Sequence, residues 1–286
     1  MPGPHPAPLA PRVSRADAAT RFRALHESFL VMPNPYDGGT ARLLAELGFS
    51  AVATSSAAIA WRGARPDGGI TRDVAIAHAV EIAEASGLPV NGDFEAGYGE
   101  TPAEMADLVV AAIDAGVAGC SIEDLASGRP EPLHDLAPAC RRIEAAREAI
   151  ERAGSDFVLT GRCEAFLVGV PDPLAVAVER LAAYERAGAH VVYAPGMTTE
   201  EEVSAVLGAV QVPLNVIAGV GGVSDDLARL KALGVRRVSI GSGLAKVALG
   251  AFRRAAEALA DGRVDFAGAV SNAAMNDAMK RRPGAS

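Results

Sequence analysis

The chain has 286 residues, half of them hydrophobic, and a formal net charge of −8. With a sequence pI near 5.2, this balance argues against nucleic acid or an anionic membrane as the main partner. Neither a membrane-spanning apolar run nor the apolar centre of a signal peptide is visible, and three scattered cysteines fit a reducing compartment, so we expect a cytoplasmic protein.

The predicted elements follow one another in a regular order. Residues 1–20 are rich in proline and alanine, and we interpret them as a flexible N-terminal arm. From residue 21 to residue 262, short β-rich runs alternate with longer helical segments, most of which end in glycine. Residues 263–286 are predicted to form a helical C-terminal extension. The predicted strands are 29–34, 50–56, 89–95, 119–124, 157–164, 190–195, 213–219 and 236–243.

This alternation of eight strands with helices predicts a parallel (β/α)8 barrel of the TIM type. An open doubly wound sheet gives the same alternation, but it would gather polar residues near one switch point. Here polar residues follow the strands all along the chain, and no linker divides residues 21–262. We therefore predict one barrel domain with extra C-terminal helices.

Four charged residues lie at the ends of three consecutive predicted strands, where barrel enzymes carry their active sites. Asp93 and Glu95 end the third strand, Glu123 the fourth and Arg162 the fifth. Alternation places Asp93 and Glu95 on one strand face, from which they can meet Glu123 and Arg162 inside the barrel. Three carboxylates repel one another unless a cation lies among them, and oxygen ligands favour Mg²⁺, with Mn²⁺ as the alternative. The other interpretation is that these acids only pair with arginines in the barrel.

The sequence also bears on two other kinds of barrel site, a Schiff-base lysine and a phosphate site. A Schiff-base aldolase needs a lysine at a strand end, but Lys231, Lys246 and Lys280 fall on predicted helices or in the tail. Glycine-rich turns at 218–226 and 240–246 follow strands seven and eight, where many barrels hold a phosphate. Schiff-base chemistry is disfavoured, and phosphate binding remains a weaker alternative.

Several motifs in this order and spacing give the chain a family resemblance. They are PNPYDGGTARLLAELGFSAVATSS, RPDGGIT, GDFEAGYG, SIED and TGRCEAF. With them, the chain resembles the isocitrate lyase/phosphoenolpyruvate mutase superfamily from about residue 22 to residue 262. The resemblance implies a modified (β/α)8 barrel, dependence on Mg²⁺ and small 2-oxo- or 2-hydroxycarboxylic acid substrates. It also implies a homo-oligomer, a dimer or tetramer, whose subunits exchange a C-terminal helix.

The resemblance gives roles to most of the candidate residues, and positions at strand ends or in the loop after strand four add Tyr36, Asn215 and His134. The metal-binding acids of the family fall on Asp93, Glu95 and Glu123, with Glu95 replacing an aspartate. The candidate catalytic residues are Arg162, Asp67, Glu123 and His134. The candidate substrate-binding residues are Tyr36, Ser55, Ser56, Ala57, Arg162 and Asn215. The stretch NPYDGGTA, which contains Tyr36, caps the next helix equally well in this interpretation.

The stretch after strand four departs from the family pattern. The sequence EDLASGRPEPLHDLAPAC is short and lacks the Lys-x-Cys-Gly-His loop of the isocitrate and methylisocitrate lyases, whose cysteine is the acid/base. It also lacks the phosphonomutase loop. Arg129, Glu131 and His134 are the candidate groups in this stretch, and a histidine can supply a proton near neutral pH. The alternative is that His134 is a surface residue ahead of a helix cap at Asp135.

From these features we predict a Mg²⁺-dependent lyase that cleaves a C–C bond of a small 2-oxo- or 2-hydroxycarboxylic acid. The bond breaks through a metal-stabilised, pyruvate-like enolate. The alternative within the family is P–C bond chemistry on phosphoenolpyruvate or phosphonopyruvate, by a mutase or a hydrolase. A barrel that binds a small acid without catalysis is the third hypothesis.

Overall fold

The computed structural model describes residues 15–126 and 131–280, and a parallel sheet forms its centre. Each strand of this described part lies inside one of the predicted strands, so all eight are confirmed. They are β1 Leu30–Met32, β2 Val52–Ala53, β3 Val90–Asp93, β4 Gly119–Glu123, β5 Val158–Arg162, β6 Val191–Tyr193, β7 Leu214–Ile217 and β8 Arg237–Ser239.

The sheet curves into a nearly closed barrel. Strand β1 pairs with β8, and the parallel order then runs down to β2 at the other edge. A backbone hydrogen bond of 3.0 Å from the Ala53 N–H to the Pro33 carbonyl joins β2 to the chain just after β1. The predicted TIM-type barrel is therefore confirmed, and the open doubly wound sheet is wrong.

Helices cover the outside of the barrel, and their ends follow the usual capping rules. Thr101 and Glu104 form a capping box at the start of α5, which ends at Gly116 in the left-handed region. The helices of the described residues are α1 Arg15–Leu25, α2 Gly38–Glu46, α3 Ser56–Arg62, α4 Arg72–Ser86, α5 Pro102–Ala115, α6 Leu136–Arg152, α7 Ala165–Val168, α8 Pro173–Arg186, α9 Glu200–Ala209, α10 Leu227–Leu233, α11 Gly243–Ala260 and α12 Asn272–Lys280.

Helix α1 fills the amino-terminal end of the barrel. Its Phe22 is fully buried and packs with Leu30, Val158 and other inward-facing strand residues. Gly119 allows this approach, because a Cβ there would lie 2.6 Å from the Val158 carbonyl oxygen and 2.9 Å from the Phe22 ring. With this end filled, a ligand has to enter from the carboxyl ends of the strands.

The two chain ends differ in what the structure describes. Residues 1–14 of the predicted arm lie outside the described residues, and residues 15–20 belong to α1. Helix α12 is one of the predicted extra helices, and Arg42 of α2 docks it by donating to the Ala278 and Met279 carbonyls at 3.4 and 3.3 Å. Across the described residues, no helix is long and apolar enough to cross a membrane.

Candidate active site

A cavity of about 150 Å³ opens at the carboxyl ends of the strands. Every strand, or the residues directly after it, contributes to its wall. Of the residues predicted for the site, Ser55, Ser56, Ala57, Asp67, Asp93, Arg162 and Asn215 line this cavity. Glu123 lies behind Arg162 in a smaller adjoining space. Most of the predicted site residues therefore lie together at the carboxyl end of the barrel, where the fold predicts an active site.

Arg162 is the centre of a carboxylate cluster beside the cavity. Its Nη1 lies 3.3 Å from Asp93 Oδ1 and 3.2 Å from Glu123 Oε2, while its Nε lies 2.5 Å from Glu164 Oε1. Glu123 and Arg162 are register partners on β4 and β5, which explains their contact. One guanidinium faces three carboxylates, so the cluster has an excess of negative charge when all three are ionised.

Burial governs the protonation of this cluster. It raises the pKa of Glu123 to about 8, because the opposing effect of Arg162 is smaller than burial and the neighbouring carboxylates together. Burial also raises the pKa of Glu164. For Arg162, burial opposes the charge, but Glu123, Glu164 and Asp93 raise its pKa well above the ordinary value. Arg162 is therefore a permanent cation, and Glu123 can hold a proton near neutral pH.

Glu95 does not share a strand face with Asp93, and this part of the prediction is wrong. Strand β3 ends at Asp93, and Glu95 has a φ of +48°, which turns the chain out of the extended conformation. Glu95 Oε1 is buried and has no hydrogen-bond partner among the described residues. Burial, followed by the charges of Asp93 and Asp67, raises the pKa of Glu95 to about 7. An unpaired acceptor among like charges is suited to a cation or a water bound to one.

The loop that carries Glu95 is held from behind by α5 and α6. Arg142 of α6 donates to the Ala96 carbonyl and, at 3.2 Å, to the Gly99 carbonyl. Gly97 has a φ of +83°, and a Cβ there would lie 2.3 Å from the sulfur of Met105. Close packing against these two helices therefore requires glycine in the GYG motif.

The predicted three-carboxylate metal site is not formed in this geometry. Within residues 15–126 and 131–280, no group of three or more His, Cys, Asp or Glu side chains is arranged to hold a metal ion. The reasons are that Arg162 lies between Asp93 and Glu123 and that Glu95 leaves the strand. The donors present fit Mg²⁺ in a looser way, since this ion keeps several waters and takes one or two carboxylates. Asp93 and the unpaired Glu95 Oε1 supply such a pair.

The segment with the candidate substrate-binding residues Ser55 and Ser56 also positions Asp93. The Ser56 N–H donates to Asp93 Oδ2 at 2.9 Å, and the Asp93 N–H donates to Thr54 Oγ1 at 2.8 Å. The Ser56 hydroxyl donates to Asp67 at 3.3 Å, while Ser55 caps α3. Asp67 at the cavity wall is thus connected to Asp93 through Ser56.

Tyr36 and His134 lie outside the wall of this cavity. Tyr36 is half-buried, and its carbonyl accepts a hydrogen bond from His78 at 3.0 Å. The next residue, Asp37, caps α2 in a capping box, which confirms the capping interpretation of NPYDGGTA. His134 is only 4% exposed, so its interpretation as a surface residue is wrong. Arg129, the other cation proposed in that stretch, lies outside the described residues.

The glycine-rich turns after β7 and β8 have internal partners for their N–H groups. Gly219 and Gly221 donate to Asp225 Oδ1 at 3.0 and 3.2 Å. Ile240 and Gly241 both donate to Asn34 Oδ1 at 2.9 Å. These donors are therefore not open to a phosphate. All three lysines lie on helices, as predicted, away from the strand ends.

The sequence argument missed several polar side chains in the cavity wall, and three of them lie on β6 and β8. They are Tyr193 at the end of β6, Arg237 at the start of β8 and Ser239 at its end. Arg237 is only 1% exposed. An arginine at the start of a predicted barrel strand was the available signal, because a buried cation needs specific partners.

Comparison with known proteins identifies the family. Residues 22–260 match the family model described as phosphoenolpyruvate phosphomutase. The chain belongs to the PEP mutase/isocitrate lyase superfamily. The resemblance drawn from the motifs is thereby confirmed. Among curated members of the superfamily, the oxaloacetate decarboxylase of Paraburkholderia xenovorans is 33% identical over 258 residues, which cover 84% of this chain and 81% of that protein.

Other superfamily members extend the comparison. A candidate 2-methylisocitrate lyase of Corynebacterium glutamicum is 34% identical over 192 residues, or 64% of this chain and 60% of that longer protein. The crystal structure of a lyase/mutase candidate from Burkholderia cenocepacia J2315 has a TM-score of 0.89 and 43% identity, covering 92% of this chain and 96% of its own. Oxaloacetate acetylhydrolase in complex with its product oxalate has a TM-score of 0.82 and 28% identity, covering 92% and 93%.

Proposed function

We propose that this superfamily member is a carbon–carbon lyase that acts on a small 2-oxo- or 2-hydroxycarboxylic acid with Mg²⁺, or Mn²⁺, as its cofactor. The observation that carries the proposal is the acid-rich cluster around Arg162 beside a small cavity at the open end of the barrel. The relatives named as a decarboxylase of oxaloacetate and as a lyase of 2-methylisocitrate support it, because both names describe bond cleavage in a small carboxylic acid.

The chain's own residues fit this chemistry. Asp93 and Glu95 would hold the metal, and Ser56 and Thr54 keep Asp93 in place. When bound, Mg²⁺ would supply positive charge beside the substrate oxygens. Arg162 adds a permanent cation. Its positive charge would stabilise the negative charge of a pyruvate-like enolate formed when the bond breaks. The Glu123 carboxyl can keep a proton close to this cluster.

The P–C bond hypothesis receives less support from this geometry. The family model is named after a phosphomutase, but two N–H groups of each glycine-rich turn already donate to Asp225 or to Asn34. A phosphoryl group would therefore have to find other donors. We keep this reaction as an alternative outcome of the experiment below.

The experiment has two stages. In the first stage, Mg²⁺ should raise the melting temperature of the protein, and oxalate should raise it further. Oxalate is a planar dianion that mimics a pyruvate enolate. Asp93→Ala should remove both shifts, while Asp156→Ala should keep them, since that residue pairs with Arg23 of α1. Proton NMR should then detect pyruvate released from malate-, citrate- or phosphonate-type acids.

The outcomes separate the hypotheses. Pyruvate from a malate- or citrate-type acid supports the lyase, and turnover of a phosphonate alone supports P–C chemistry. A barrel that binds Mg²⁺ and oxalate but turns over none of these acids is a binding protein. If neither Mg²⁺ nor oxalate stabilises the protein, both enzyme hypotheses are contradicted.

We also propose that the protein is a homo-oligomer, a dimer or tetramer, in which the C-terminal helices pack against a neighbouring subunit. Large apolar side chains on α11 and in the segment after it support this proposal. Val247, Phe252 and Val264 are 70%, 73% and 74% exposed. Apolar side chains clustered at the surface usually mark a protein interface.

A further inference from the structure

Arg237 begins a chain of hydrogen bonds at the bottom of the cavity. Its Nε donates to Asn215 Oδ1 and its Nη2 to Thr160 Oγ1, both at 2.9 Å. Burial lowers the pKa of Arg237 to about 9, so the guanidinium is still charged at neutral pH. An arginine has only donors, and every partner of Arg237 must therefore accept.

This requirement fixes the orientation of the Asn215 amide. If the amide were turned over, its NH₂ group would face the N–H of Arg237, and both groups would be donors. Asn215 Oδ1 therefore faces Arg237, and Nδ2 donates to Ser239 Oγ at 2.9 Å. Because Ser239 accepts this bond, its own hydroxyl hydrogen is available to another acceptor.

Tyr193 lies beside this chain of hydrogen bonds. It is register partner to both Arg162 and Asn215, and it shares the cavity wall with Ser239, whose Oγ accepts from Asn215. The Arg162 guanidinium lies 5.3 Å from the centre of its ring. Burial raises the pKa of Tyr193 to about 12, so the phenol keeps its proton throughout the neutral range. Tyr193 is 7% exposed and lines the cavity.

We propose that Ser239 donates to the Tyr193 oxygen, so that Tyr193 donates its own hydrogen into the cavity, to the substrate oxygen that gains negative charge. Arg237, Asn215 and Ser239 are positioning residues in this arrangement, since each fixes the hydrogen-bond direction of the next. Tyr193 is the group that touches the substrate. The inference rests on the proposed function. It adds a neutral hydrogen-bond donor next to Arg162, whose Nη1 and Nε already contact the carboxylates of Asp93 and Glu164.

The test is the affinity of the Mg²⁺-loaded protein for oxalate, measured by calorimetry for the full chain. Tyr193→Phe removes only the hydroxyl and should weaken oxalate binding about 10- to 100-fold, the usual effect of a hydrogen bond to a charged group. Its thermal shift with Mg²⁺ alone should not change. Tyr184→Phe is the matched control, because its buried hydroxyl bonds to Asp124 and lies outside the cavity wall.

A double-mutant cycle tests the relay. Ser239→Ala should weaken oxalate binding in the wild-type background but not in Tyr193→Phe, since without the phenol the direction of this bond no longer matters. Additive effects of the two substitutions would overturn the relay. Equal affinity in wild type and Tyr193→Phe would overturn the whole inference and leave the proposed function standing. If the wild-type protein binds no oxalate, the proposed function fails, and this inference fails with it.

Discussion

Arg162 holds together carboxylates from β3, β4 and the segment after β5. A buried arginine surrounded by acids is hard to replace, because each acid then loses its compensating charge. The contacts therefore make Arg162 important for folding as well as for the chemistry proposed at the cavity.

Arg162→Gln should lower the free energy of unfolding by about 3–5 kcal/mol, the usual effect of breaking a buried ion pair. The loss should be greater near pH 9 than near pH 6, because Glu123, with a pKa of about 8, holds a proton at the lower pH. Urea unfolding at both pH values measures it. Arg229→Gln is the control, since its pair with Glu200 is about half exposed on both sides and should contribute little to stability. Equal losses for the two variants would contradict the prediction.

Glu95 should give the metal-free protein a characteristic pH dependence. Its pKa is raised from 4.5 to about 7, so the folded protein binds this proton more tightly than the unfolded chain. The sign follows from linkage: the contribution of Glu95 to stability falls as the pH rises from 4.5 to about 7. We expect the melting temperature of Glu95→Gln to depend less on pH than that of wild type over this range. Parallel curves for the two proteins would rule out the raised pKa.

Added Mg²⁺ should reverse this trend in the wild-type protein. A metal binds the ionised carboxylate, so the Mg²⁺-induced rise in melting temperature should be larger near pH 8 than near pH 6. Glu95→Gln should show a smaller rise at both pH values, because it lacks the charge. A Mg²⁺ effect that is independent of pH would show that Glu95 does not take part.

The sequence could identify the charged residues of the site but not all of their geometry. Asp93, Glu123 and Arg162 were found because strand ends of a barrel meet at one rim. The position of Glu95 could not be found by extending the strand alternation, since its positive φ depends on contacts of the following loop. Tyr193 was missed because its significance depends on the direction of hydrogen bonds across β7 and β8.

At the scale of elements, the loop after β3 is positioned by α5 and α6 rather than by its own sequence alone. Arg142 reaches it from α6, and Met105 of α5 lies against Gly97. A change in this packing should move Glu95 without touching the cavity directly.

Gly97→Ala tests this coupling against Gly154→Ala. Both glycines have positive φ, at +83° and +58°, so alanine is strained at each by about 1–3 kcal/mol. At Gly97 the new Cβ would also lie 2.3 Å from the Met105 sulfur, whereas nothing lies within 4 Å at Gly154. Chemical unfolding should show a greater loss of the free energy of unfolding for Gly97→Ala than for Gly154→Ala. Only Gly97→Ala should also reduce the rise in melting temperature caused by Mg²⁺. Equal behaviour of the two variants would contradict the role given to α5.

The order of elements was predictable because each buried strand is short and is bounded by residues that stop it. The predicted strands extend beyond the observed ones by several residues in most cases, since the residue pattern does not show where the ladder hydrogen bonds stop. The seam of the barrel was not predictable, because β2 has only two residues in the ladder and meets the chain after β1 through the Ala53 N–H.

At the scale of the whole molecule, the apolar residues of α11 predict an oligomer. Light scattering after gel filtration should show a dimer or tetramer for the wild-type protein. The Phe252→Glu variant should have a mass closer to that of the monomer, because a charge buried in an apolar interface is strongly unfavourable. Arg254→Glu, an exposed position on the same helix, should keep the wild-type mass. A monomeric wild-type protein at micromolar concentration would refute the proposal.

Asp225 affects which anions can bind at the turn after β7. Its carboxylate takes the Gly219 and Gly221 N–H groups of the turn after β7, so the protein occupies this turn with an anion of its own. A dissolved phosphate ester would have to compete with a tethered inhibitor whose effective concentration is on the order of millimolar or more. We therefore expect this turn to bind phosphorylated metabolites weakly, because of a group that need never contact the substrate itself.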